Sequence, residues 1–90
     1  MNIHIEFCIK WNYGPEFERV SNIIKKYNSE IKIESNNSYP RSGAFEVMVD
    51  NNLVFSKFST KRFPFDNEIK SWIKSWIIFL ILKDKVQIFF

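Results

Sequence analysis

Between residues 2 and 33 the hydrophobic period changes twice, and nothing else in the chain constrains the fold as tightly. Residues 2 to 7, NIHIEF, alternate: Ile3, Ile5 and Phe7 point one way, Asn2, His4 and Glu6 the other. That is a half-buried strand. Residues 8 to 14 read as a loop, and Pro15 suits a first helical turn, where its missing N–H costs nothing. Phe17, Val20, Ile23, Ile24 and Tyr27 then recur at helical spacing along one face, with Asn28 and Ser29 ending the run. Ile31 and Ile33 return to alternation. Strand, crossover helix, strand requires a parallel pair joined by a right-handed connection.

The rest of the chain extends that unit. Residues 36 to 43, NNSYPRSG, have loop chemistry throughout. Phe45, Val47 and Val49 share one face of the next strand, and DNNL is a tight-turn signal because asparagine tolerates positive φ. Leu53 and Phe55 then point inward on a returning strand, so residues 43 to 57 read as a β-hairpin. Pro64 and Asp66 announce a second helix with Asp66 as N-cap, carried by Ile69, Trp72, Ile73, Trp76, Ile77 and Leu80. The order is β-α-β-β-β-α. One apolar face per strand and two amphipathic helices call for an α/β two-layer sandwich, both helices on one face of a mixed four-stranded sheet. Residues 1–82 read as one domain, and the tail 83–90 takes no assignment.

Ninety residues, 46% of them apolar and 18% aromatic, can bury a core without disulfide or metal. Net charge is +3, with thirteen basic residues scattered among ten acidic ones, unlike the dense clusters of nucleic-acid binders. One cysteine excludes an internal disulfide, and with a single histidine it excludes a cysteine-cage zinc site. No cofactor or metal is expected. No basic segment followed by a long apolar stretch opens the chain, so a reducing, cytoplasmic setting is the expectation.

Chemistry concentrates around Cys8. It precedes a helix start, where unpaired N–H groups favour a thiolate, and Lys10 adds a positive charge. Against this stands the ordinary role of a free cysteine as small apolar filler. His4 cannot activate Cys8: four residues along a strand is roughly 13 Å. KFSTKRFPF, residues 57 to 65, mixes Lys57, Lys61 and Arg62 with Phe58, Phe63 and Phe65. Such a mixture can bind single strands of nucleic acid. On one short loop, phenylalanines anchoring the segment to the core are the plainer account. WIIFLIL, 76 to 82, is too short to span a bilayer and reads as a buried helix end or a helix held by a partner.

Taken in order, Cys8-Ile9-Lys10-Trp11-Asn12-Tyr13, Ser42-Gly43-Ala44-Phe45-Glu46-Val47, Ser56-Lys57 and Phe63-Pro64 resemble the selenoprotein W-like (Rdx) family over about residues 3 to 75. The resemblance implies a thioredoxin-like fold and thiol redox chemistry, often linked to glutathione. It makes Cys8 the thiol of a small thiol oxidoreductase or antioxidant protein. It also directs attention to Lys10, Tyr13, Ser42, Gly43 and Phe63 as the residues that would contact a substrate. Glutathione or a protein thiol would be the partner, as co-substrate rather than bound cofactor.

The departure from the family falls at Trp11, where the family carries cysteine or selenocysteine. Tryptophan has no thiol chemistry, and a dithiol cycle needs a resolving thiol. Selenocysteine is encoded by UGA, as is tryptophan in some genetic codes, and a misread UGA commonly appears as tryptophan. Trp11 therefore stands either for selenocysteine in the native gene or for a genuine aromatic replacement. The reading from another class is a non-enzymatic interaction domain that uses Trp11 and the loops around Gly43 and Phe63, or the apolar C-terminal helix, to hold a protein partner.

Overall fold

The computed structural model describes residues 1–74. Strand β1, Asn2–Phe7, is central. Helix α1, Gly14–Tyr27, carries Pro15 in its first turn, and its C-cap is Asn28, whose N–H donates to the Ile24 carbonyl. Strand β2, Lys32–Ser35, returns parallel to β1, with Ile3 opposite Ile33. Strands β3, Phe45–Val49, and β4, Asn52–Ser56, form the hairpin, and β3 runs antiparallel to β1. The sheet order is β2-β1-β3-β4. The hairpin turn is Asp50-Asn51, both at positive φ (47° and 69°), the geometry that matches strand twist.

Two elements follow. A single helical turn, α2, Lys57–Thr60, occupies part of the segment expected to be loop. A longer helix, α3, begins at residue 66 and is described to residue 74. Its N-cap is Phe65 rather than Asp66. Glu68 accepts from the Phe65 N–H at 2.8 Å, the reciprocal half of a capping box. Asp66 instead accepts from Arg19 at 2.7 Å, and Arg19 also donates to the Pro64 carbonyl at 2.6 Å, which ties α1 to the start of α3.

The core lies on one face of the sheet. Ile3 and Ile5 of β1, Phe45 and Val47 of β3 and Phe55 of β4 meet Val20 and Ile24 of α1 and Ile69 and Ile73 of α3 in one buried cluster. Phe7 stacks on Phe17 at 4.7 Å and fastens the end of β1 to α1. Both helices thus cover the same face, as the period changes require.

Leu53 departs from the expected pattern. Val47 pairs with Phe55 but Met48 pairs with Leu53, so Val54 is an extra residue, a β-bulge. The bulge resets the alternation: Phe55 is buried, while Leu53 is 60% exposed on the opposite face, beside Met48. Trp76, Ile77, Leu80, the apolar run 76–82, the tail 83–90 and the boundary at 82 lie outside the described residues.

Candidate functional site at the end of strand β1

Cys8 is clamped through both of its backbone groups. Its N–H donates to the Ala44 carbonyl at 2.9 Å, and its carbonyl accepts from the Tyr13 N–H at 3.1 Å. Ala44 leads into β3 and Tyr13 is the N-cap of α1, so Cys8 joins the glycine loop to the helix start. Cys8 is only 2% exposed, so the residue is enclosed in the fold although it stands just before the helix start. Residues 9 to 12 form a turn directly after it through an Asn12 N–H to Ile9 carbonyl bond of 2.9 Å, with Asn12 at φ 61°.

Trp11 leans back onto the glycine loop. A Cβ at Gly43 would lie 2.9 Å from Cζ3 of Trp11, and Gly43 adopts φ 75°, so both space and backbone require glycine. The indole remains 56% exposed and meets Tyr13 edge-on at 6.2 Å. Tyr13 in turn meets Phe63 edge-on at 4.8 Å, and Phe63 meets Phe45 at 5.4 Å. An aromatic chain thus runs from solvent at Trp11 to the core at Phe45. Of the residues singled out from the sequence, Cys8, Trp11, Tyr13, Gly43 and Phe63 are brought together. Lys10 and Ser42 are exposed on the flanking turns, and no side-chain hydrogen bond holds them among the described residues.

The supporting residues carry little sequence signal. Glu46, 7% exposed on β3, accepts from the Ser56 hydroxyl and from the Lys57 N–H. This bond fixes the β4–α2 junction and sets Lys57 over the rings of Tyr13 and Phe63, at 5.3 and 5.4 Å. Asn36 both donates to the Phe7 carbonyl at 2.9 Å and accepts from the Phe7 N–H at 3.0 Å, acting as a strand partner one residue before Cys8. Arg41 grips Glu6 through side chain and backbone, at 2.7 and 2.8 Å. That hydrogen bonding holds the Glu6 carboxyl below its ordinary range, against a smaller opposing effect of burial. Within these motifs, Ser56-Lys57 and Glu46 show their meaning only when β3 and β4 are paired.

The phenylalanines of residues 57 to 65 divide. Phe63 packs against the core as expected, whereas Phe58 and Phe65 are exposed. Those two lie under the guanidinium groups of Arg41 and Arg62, at 4.9 and 4.2 Å. A broad groove lies on the other face of the sheet, between His4, Glu6, Arg41 and Leu53, away from the Cys8 aromatic chain. Among the described residues no cluster of three metal-ligating side chains occurs, and no helix is long and apolar enough to cross a membrane.

A mixed sheet with one crossover helix, and both helices on one face, define a thioredoxin-like domain of the selenoprotein W-related fold. The chain belongs to the Rdx family, whose model matches residues 2–75. A selenoprotein W-related protein from Vibrio cholerae has the same fold, with a TM-score of 0.71 at 20% identity over 84% of this chain and 95% of that one. So does a protein from Bordetella parapertussis, with a TM-score of 0.72 at 10% identity over 82% and 94%. In sequence the chain is similar to migration and invasion enhancer 1. It is 27% identical to the Mus musculus protein over 82% of this chain, and 28% identical to the Bos taurus protein over 77%. It spans 63% and 58% of the length of those two relatives.

Proposed function

We propose that the protein is a single-thiol redox protein that exchanges glutathione through Cys8. The observation that carries this reading is the backbone clamp: Cys8 bonds to the glycine loop on one side and to the N-cap of α1 on the other. Membership of the Rdx family supports the same chemistry.

In this reading the Cys8 thiolate attacks the glutathionyl sulfur of a mixed disulfide. The Cys8–glutathione S–S bond forms as the old S–S bond breaks, and the displaced thiolate takes up a proton. Cys8 is the sole cysteine, so a second glutathione thiolate attacks the glutathionyl sulfur of that adduct. Glutathione disulfide leaves and the Cys8 thiol is restored. The structure around Cys8 must open for substrate to reach a sulfur this enclosed. The triplet at codon 11 decides between two forms of the site. UGG, or UGA at codons 11, 72 and 76 alike under a reassigned code, makes this a single-thiol protein. UGA, with codons 72 and 76 reading UGG, puts a selenolate at position 11 with Cys8 as its resolving partner.

Mass spectrometry of the folded protein after incubation with glutathione disulfide tests the proposal. One glutathionyl group is expected on Cys8, removable by reduced glutathione and missing from Cys8→Ser. A second reading rests on Ile9 and Trp11, 64% and 56% exposed on the turn that follows Cys8: an interaction domain that docks a partner through this apolar turn. A folded protein that takes up no glutathione favours that reading.

A further inference from the structure

The Ser56-Lys57 pair has no part in the exchange step itself, yet the fold spends a buried carboxylate on fixing it. Glu46 accepts from Ser56 and from the Lys57 N–H, leaving the Lys57 ammonium free of that carboxylate. Among the described residues no carboxylate lies within ion-pair distance of Lys57 Nζ. The ammonium instead hangs over Tyr13 and Phe63, two members of the aromatic chain that ends at Trp11 and Gly43. The strand register locates it relative to Cys8. Phe7 pairs with Phe45, and Glu46 pairs with Ser56, so Lys57 and Cys8 leave the same end of the sheet two strands apart. Two strand spacings are roughly 10 Å.

Resting on the thiol-exchange reading, we propose that Lys57 is the substrate-positioning cation of this site. It receives a carboxylate of a thiol or disulfide peptide whose sulfur is at Cys8. The two strand spacings are a backbone separation. The ammonium itself lies over the ring of Tyr13, whose N–H donates to the Cys8 carbonyl. A carboxylate one residue along the ligand from its cysteine, about 3.5 Å of extended chain away, therefore lies within reach of Lys57 while the sulfur is at Cys8. The aromatic faces of Tyr13 and Phe63 hold the ammonium in place without neutralising it. An acidic, cysteine-containing peptide such as glutathione fits this arrangement, and an uncharged or cationic small disulfide does not.

The experiment compares second-order rates of mixed-disulfide formation at Cys8 with three probes: glutathione disulfide (anionic), hydroxyethyl disulfide (neutral) and cystamine (cationic). Each is run on the wild-type chain, Lys57→Met and Lys57→Arg. Lys57→Met keeps the backbone N–H that Glu46 binds and an apolar stem over the rings, and thermal melting checks its fold. A partly exposed ion contact predicts that Lys57→Met slows the glutathione reaction about fivefold. The neutral probe should be unchanged, cystamine faster, and Lys57→Arg close to wild type with glutathione. An unchanged glutathione rate in Lys57→Met, or an equal fall with all three probes, overturns the assignment while leaving exchange at Cys8 intact. A wild-type thiol inert to all three overturns the exchange reading and this assignment together.

Discussion

Gly43 and Trp11 share one contact, and it measures how tightly the site is built. Replacing Gly43 by alanine places a Cβ 2.9 Å from the indole and forces a side chain onto φ 75°. The backbone part alone costs on the order of 1–3 kcal/mol. The collision with Trp11 adds to it, and that share disappears in a Trp11→Ala background. A double-mutant cycle by urea denaturation should therefore give a coupling of about 0.5–1 kcal/mol, with Gly43→Ala less costly when Trp11 is absent. Glu46 supports the other side of the site. Glu46→Ala leaves the Ser56 hydroxyl and the Lys57 N–H without their acceptor, a loss of about 1–3 kcal/mol in the same measurement. The sequence singles out Gly43 because a glycine before a strand is a recognisable punctuation. It gives no such cue for Glu46. That side chain looks like one more polar residue on an alternating strand until β4 is laid beside it.

At the scale of elements, the loop between β2 and β3 is held to β1 by two side chains just before Cys8. Asn36 completes the strand edge at Phe7, and Arg41 grips Glu6. Because the Glu6 carboxyl is held below its ordinary value of 4.5, its ionised form contributes stability that is present above that value. The contribution is lost as pH falls through the depressed folded-state value. Glu6→Gln should remove this part of the acid-side slope, so wild type and variant converge in stability at low pH and separate towards neutrality. Thermal melts across that range check it. Element order, the crossover, the Asp50-Asn51 turn and the shared helix face were legible because each has a local chemical cause. The bulge at Val54 was not legible. It depends on how β4 registers against β3, which reverses the facing of Leu53 while Phe55 keeps its own. The one-turn helix at 57–60 was hidden similarly, since Ser56 caps it within a segment whose aromatic and basic residues read as loop.

Taken whole, the molecule places its one thiol where three structures meet: the end of the central strand, the start of the crossover helix and the loop before β3. Cys8 is as buried as a core residue, yet its backbone bonds run to the start of α1 and to the loop before β3. Burial alone describes an inert filler; the proposed function makes the same residue a thiol that exchanges. The rate at which Cys8 reacts with glutathione disulfide, compared between the folded protein and the same chain unfolded in urea at one pH, separates them most directly. Exchange at a built site predicts a folded-state rate equal to or above the unfolded one. A folded-state rate a hundredfold or more below it would contradict the account.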